Sequence, residues 1–215
     1  PFVKGGIFKM KLEKLLKQSL DRLENFNPEI LIKELAINPY LNISCGANDI
    51  RDKTNIGNYC FFPGFITRLK PKQIVELGSA MGVALVSMLQ ALHKDFNLFG
   101  VTLEEHNLEF CYVDKNKYRN LTCIVGDYMD MSIWKNVDLK QTDLWYLDGL
   151  HEESHLRAEL ELYKPFFREG AIVLFDDMMI NAGMHRVYDD LENILPIEEK
   201  ILNNQLHSTG FTLVK

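Results

Sequence analysis

The sequence has no apolar run approaching the roughly 20 residues that a bilayer-spanning helix needs, so a membrane role is not expected. It also has little cysteine. Cys45, Cys60, Cys111 and Cys123 stand far apart, without paired metal-ligand spacing, and reduced thiols in a cytosol are the simpler expectation. There is no excess of positive charge: the formal net charge is −6, which argues against a nucleic-acid backbone as partner. No internal repeat, low-complexity tract or interdomain linker interrupts the chain. The opening Pro-Phe-Val-Lys-Gly-Gly does not resemble a secretory signal, and a cytoplasmic location is expected. What is present is ordinary for a globular protein. Hydrophobic residues make up 47% and charged residues 25% of 215, enough for one large domain with a substantial core.

Residues 73–82 organise the rest. Ile74, Val75 and Leu77 form a short apolar run of the kind found in strands buried on both faces of a parallel sheet. Gly78 and Gly82 then break the strand and let the backbone pass close to a ligand. The pattern turns helical over 83–93, so the glycines occupy a strand-to-helix turn whose free N–H groups suit an anionic ligand. Glu76 adds an acceptor at the same crevice. A glycine-containing turn that binds nothing has the same spacing, and the spacing alone does not choose.

N-terminal to this stretch, residues 11–26 carry Leu12, Leu15, Leu16, Leu20 and Leu23 at helical spacing. Pro28 can open a second helix through residue 36. Residues 38–58 read as irregular, either a lid over a substrate pocket or a plain connector, and 61–69 read as a helix. C-terminal to it, strands are expected over 97–103, 121–125, 143–147 and 171–175. Helices are expected over 107–117, 132–134, 152–166 and 183–194. Two last strand-like runs, 198–203 and 209–214, leave no room for a helix between them and should pair antiparallel. The expected fold is therefore α/β: a doubly wound, mainly parallel seven-stranded Rossmann-like sheet with an antiparallel C-terminal hairpin and an N-terminal helical cap. One domain over 1–215 is expected, with helices and lid in 1–70 and the cofactor-binding core in 71–215.

In such sheets ligands bind at the carboxyl ends of the strands, so the residues just past each strand matter most. Glu104 and Glu105 follow the second strand, Gly126 and Asp127 the third, Asp148 the fourth, and Asp176 and Asp177 the fifth. Any one of these could belong to a solvated rim; four strand ends in succession read as a site. An acid past the second strand can accept both hydroxyls of a ribose, which points to Glu104, with Glu105 as the fallback. Asp148, Asp176 and Asp177 would repel one another unless a cation neutralised them, and hard oxygen ligands suit Mg²⁺ or Ca²⁺. The other reading has Asp176 capping its strand and Asp177 pointing to water. His151 lies three residues past Asp148, where a neutral imidazole could serve as general base. His155 and His185 read as helix residues facing solvent or their own neighbours.

These residues carry a family resemblance. The run from Val75 to Gly82, with Glu76, Gly78, Ser79, Ala80 and Gly82, resembles the first motif of class I S-adenosylmethionine-dependent methyltransferases. The runs from Leu147 to His151 and from Arg168 to Asp177 resemble metal-dependent small-molecule O-methyltransferases related to macrolide-sugar methyltransferases and cephalosporin-hydroxylase-type proteins. The resemblance implies that Gly78–Gly82 meets the methionine part of the cofactor, Glu104 the ribose and Asp127 the adenine. It implies that Asp148, itself at the cofactor's edge, holds Mg²⁺ or another divalent cation with Asp176 and Asp177, and that His151 is the base. Ala80 departs from the commoner three-glycine pattern.

The implied reaction is methyl transfer from S-adenosylmethionine to a hydroxyl of a small molecule, a sugar or another metabolite with vicinal oxygens. Binding substrate oxygens to a divalent cation lowers the hydroxyl's pKa, and His151 takes its proton. Three readings stand beside it: transfer to a small-molecule nitrogen, an NAD-type oxidoreductase and a non-catalytic nucleotide-binding protein. The single-residue glycine spacing of the nicotinamide fingerprint is absent, and hydride transfer gives no reason for the acidic cluster. The expected partner is a small-molecule substrate, with a homo-oligomer left open and neither nucleic acid nor membrane expected.

Overall fold

The computed structural model describes residues 12–20, 53–80, 82–103, 118–203 and 208–215. Seven strands, β1 (Gln73–Leu77), β2 (Asn97–Thr102), β3 (Leu121–Val125), β4 (Leu144–Leu147), β5 (Ile172–Phe175), β6 (Ile197–Asn203) and β7 (Thr209–Val214), form one sheet. Their order is β3-β2-β1-β4-β5-β7-β6. The first five are parallel, and β7 runs antiparallel to both β5 and β6. This is the doubly wound, mainly parallel sheet with an antiparallel C-terminal hairpin expected from the pattern. β1, β4 and β5 are buried at every position, because a parallel sheet covered on both faces leaves no side for polar residues.

The described helices are α1 (Leu12–Leu20), α2 (Lys53–Leu69), α3 (Val83–Leu89), α4 (Glu153–Tyr163) and α5 (Ala182–Ile194). The chain leaves β1 towards one edge of the sheet and β4 towards the other. Right-handed crossovers therefore put α3 and α4 on opposite faces. One core packs α1, α2 and α3 against Ile74, Leu98, Tyr146, Leu174 and Phe211. The other packs α4, α5 and Trp134 against Val75, Leu77, Trp145, Val173 and Phe175. On the first face Phe61 and Phe62 of α2 stack at 4.2 Å, and Phe62 meets Tyr146 edge-on at 5.1 Å. The Glu199 carboxylate on β6 accepts the N–H groups of Leu12 and Glu13, capping the start of α1 from the sheet.

Several boundaries differ from expectation. α2 begins at Lys53, so residues 53–58 of the expected irregular segment are helical, and Pro63 lies inside the helix. The rest of that segment, the end of the first expected helix, the helix over 28–36 and the helix over 107–117 lie outside the described residues. α3 stops at Leu89 rather than continuing to residue 93: Ala91 N–H turns back to Met88 O at 3.1 Å, and the Lys94 ammonium takes the Leu89 carbonyl. β2 ends at Thr102, leaving Leu103 in a bend.

At the amino edge of the sheet Asp143 shows what a satisfied carboxylate looks like here. It accepts the N–H groups of Lys72 and Gln73 and pairs with Arg168.

Candidate active site

The register of the sheet decides which acids meet. Glu76, Tyr146 and Leu174 are neighbours across β1, β4 and β5. Side chains alternate along a strand, so Asp148 and Asp176, two residues past Tyr146 and Leu174, continue that row on the same face. The ladder holds both in place: Asp148 N–H bonds Leu77 O at 2.9 Å and Asp176 N–H bonds Leu147 O at 3.0 Å. Asp177 falls on the opposite parity, and its backbone turns left-handed (φ +51°), which swings it back towards the site.

His151 sits between the carboxylates. Its Nε2 lies 3.5 Å from Asp148 Oδ1 and its Nδ1 lies 3.9 Å from Asp177 Oδ2. Ligand atoms of Asp148, His151 and Asp176 all lie within 4.8 Å of one another. Of the expected trio, then, Asp148 and Asp176 come together, with His151 in the third place and Asp177 reaching the cluster through the imidazole. Burial, joined by the Asp148 and Asp177 charges, pushes Asp176 well above the usual carboxylate range. Burial also raises Asp148, against the lowering by His151. The Asp148 carboxylate in turn holds His151 above 6.5, against the lowering by burial. Three acids crowded at one buried edge with one imidazole form a site short of positive charge, and oxygen donors in that state fit a hard divalent cation.

Beside this cluster the turn after β1 is shaped for close approach. Gly78 (φ +89°) lies so near the next strand that a Cβ there would fall 2.0 Å from Asp148 O. Gly100, level with Glu76 on β2, faces Ser79 Oγ and Leu85 in the same way. Gly82 (φ +77°) precedes α3, and Ala80 holds a left-handed φ of +39° where the commoner pattern has glycine. Glu76 Oε2 and Ser79 Oγ are buried without a hydrogen-bond partner of good geometry. Burial first, and the Asp148 charge second, raise Glu76 well above the carboxylate range. Open backbone and orphaned polar atoms at one crevice fit a polar cofactor. Asp127 is exposed after β3 and uses Oδ1 to accept its own turn's Met129 N–H at 2.8 Å. Glu104 and Glu105 lie outside the described residues.

A group of residues that the sequence reading passed over lies behind the cluster. Tyr128, buried in the loop after β3, places its hydroxyl 2.7 Å from His155 Nε2, and Leu150 N–H donates to it at 3.3 Å. His155 thus faces a neighbour of its helix rather than solvent. One turn along α4, Glu159 is buried, and Oε2 lies 4.0 Å from His155 Nε2. The signal available in the sequence was weak: a histidine and a glutamate four apart on one helix face. His185 pairs with Asp189 at 3.0 Å on the surface of α5.

Burial, and then the Asp148 charge, push Glu159 up to about 8 from an ordinary 4.5. A raised pKa contributes stability that is complete below about 4.5 and is lost as pH climbs through about 8. Glu159→Gln, neutral at every pH, should therefore gain on the wild type by several kcal/mol between pH 4.5 and 9, at about 1.4 kcal/mol per unit. Urea unfolding at both pH values checks this, and an unchanged difference refutes it.

A family model described as "Methyltransferase domain" matches residues 75–178. No curated protein matches this sequence. Among solved structures the chain is similar to the SAH-bound methyltransferase PaMTH1 of Podospora anserina, at 13% identity over 98% of this chain and 99% of that one, with a TM-score of 0.67. It is similar to the O-methyltransferase from Bacillus cereus in complex with SAH, at 13% identity over 95% and 100% of the two chains, TM-score 0.67. It is also similar to TomG from Streptomyces achromogenes, an O-methyltransferase involved in tomaymycin synthesis, at 14% identity over 95% and 91%, TM-score 0.61. At such identities the likeness speaks for the fold. The family match adds the sequence: it spans the glycine turn, Asp148, His151, Asp176 and Asp177 in one run. Residues 75–178 of this chain thus match a methyltransferase domain, within a fold similar to those of SAH-bound methyltransferases.

Proposed function

We propose that the protein transfers the cofactor's methyl group to a hydroxyl of a small molecule with neighbouring oxygens, assisted by a divalent cation. The observation that carries this reading is the Asp148–His151–Asp176 cluster at the carboxyl edge of the sheet, beside the Gly78 turn. Glu76, Gly78, Ser79, Ala80 and Gly82 would line the methionine end of the cofactor, with Glu104 at the ribose and Asp127 at the adenine. Asp148, Asp176 and Asp177 would hold Mg²⁺. A cation there would lower the acceptor hydroxyl's pKa and fix its position. His151 would accept the proton, and the fixed turn would keep acceptor and methyl donor in line. An amine acceptor has no need of a cation to sharpen it, so the acidic cluster favours oxygen over nitrogen.

Leu150, Met179 and Ile180, exposed by 52%, 46% and 57%, stand on the turns that follow β4 and β5, next to the cluster. Apolar groups left in water beside a polar centre favour an acceptor with an apolar or aromatic body over a bare sugar. The proposed partner is that small molecule; neither nucleic acid nor membrane enters the reading.

Mn²⁺ titration tests the cation without a substrate. Asp176→Asn combined with Asp177→Asn should weaken Mn²⁺ binding by at least about tenfold, since each removes a full charge from a hard-cation site. Equal affinity in wild type and double variant overturns the metal reading. The single variants assign the third ligand. Loss of affinity in Asp177→Asn supports the carboxylate set, and loss in His151→Ala alone makes the imidazole a ligand instead of the base.

A further inference from the structure

We propose that the Tyr128 hydroxyl is a positioning group for the site, holding the turn from Asp148 to His151 in place through Leu150 N–H, with His155 as its own anchor. This rests on the assignment of Asp148 and His151 to the chemistry.

The turn carries both groups on four residues, and its backbone bonds are few. Asp148 N–H is tied to β1 through Leu77 O, and Glu152 N–H closes on Leu150 O at 2.8 Å. Between them the Leu150 N–H donates to Tyr128 Oη at 3.3 Å. Gly149 lies directly on the phenol: a Cβ there would fall 2.0 Å from Tyr128 Oη and 2.9 Å from Cζ. Glycine is needed here because the hydroxyl occupies the space of a side chain.

The phenol is itself fixed from several sides. Its oxygen lies 2.7 Å from His155 Nε2, so it can accept from Leu150 and share a proton with the imidazole at once. The two rings meet edge to face at 5.7 Å. Tyr128 C=O accepts the Tyr163 hydroxyl at 2.5 Å, and Tyr163 Oη accepts Trp134 Nε1–H at 2.8 Å. On the far side of the turn His151 C=O accepts Asn181 Nδ2–H at 2.9 Å, where Asn181 also caps α5. The turn is thus gripped between a buried phenol and a helix cap, and the phenol side is the one that reaches the middle of it. Groups of this kind, one bond behind the functional residues, set ligand geometry and typically change metal affinity by 10–100-fold when removed.

Tyr128→Phe keeps the ring and removes the oxygen. Hydrogen exchange at the Leu150 amide should then speed up by about tenfold while the amides of β1, β4 and β5 keep their protection, as expected for local opening. Mn²⁺ binding should weaken by about tenfold, because Asp148 rides on the same turn. A rise in Leu150 exchange of about threefold or less overturns the proposal. Gly149→Ala supplies a second arm: its damage to folding should be smaller in the Tyr128→Phe background than in the wild type, because the colliding oxygen is gone. Equal damage in both backgrounds also overturns the proposal. Should Tyr128→Phe not fold, the exchange measurement is made on His155→Leu, with the same about threefold boundary. A wild type that binds no Mn²⁺ at all removes the cation reading alone, since the exchange result decides the positioning role without it.

Discussion

His151→Ala should lower kcat by about 10²–10⁴-fold and leave S-adenosylmethionine affinity within about threefold. The imidazole faces Asp148 at 3.5 Å and Asp177 at 3.9 Å, with about a quarter of its side chain exposed (26%). It can therefore meet an acceptor entering from solvent while its orientation is set from behind. The Asp148 carboxylate raises its pKa above 6.5. The sign for catalysis follows: the neutral base is populated only above the raised pKa, so kcat climbs as pH rises through it, and the alanine variant should lose that climb. The sign for stability is the reverse. Stability from the charged imidazole is complete below about 6.5 and lost as pH rises through the folded value. Steady-state kinetics across pH 5–9 with a found acceptor checks the first, and calorimetric cofactor titration checks the binding half beforehand. A kcat within about threefold of wild type removes His151 from the proton path.

Gly78→Ala should abolish measurable cofactor binding and destabilise the fold by about 3 kcal/mol or more. Two effects add. The backbone φ of +89° is one that L side chains rarely adopt, and the new methyl would meet Asp148 O at 2.0 Å, Asp148 C at 2.6 Å and Gly149 Cα at 2.8 Å. Those atoms are main chain and cannot rotate away. The turn after β4 must retreat from β1, and it carries Asp148 at the crevice between the two strands where the connections diverge. Urea unfolding and cofactor calorimetry read the two effects separately. A variant with the wild-type midpoint and undiminished binding refutes the close approach. Ala80→Gly runs the opposite way: at φ +39° glycine relieves the strain of an L residue, and stability should hold or rise by a few tenths of a kcal/mol.

The sequence by itself determined the sheet and the edge at which the acids gather. Fully apolar runs such as Leu144–Leu147 and Ile172–Phe175 are too short for a buried helix and suit strands covered on both faces, and the absence of room for a helix between the last two runs left only a hairpin. The acids past the strands were legible for the same reason, since strand ends fix which residues reach the crevice. Helix ends were less so. The polar start of α2 hides a helix that tertiary packing supports through Phe61, Phe62 and Phe65, and the stop of α3 depends on where its chain turns back. Only the tertiary structure decided how the site is composed. It set Asp176 in the row with Asp148, brought Asp177 back towards them by a single left-handed residue, and put His151 between Asp148 and Asp177. It also brought Tyr128 to Leu150 and His155, across separations of 22 and 27 residues. Periodicity reports which face of an element is buried; it carries no information about which buried polar groups from different elements will share one hydrogen bond.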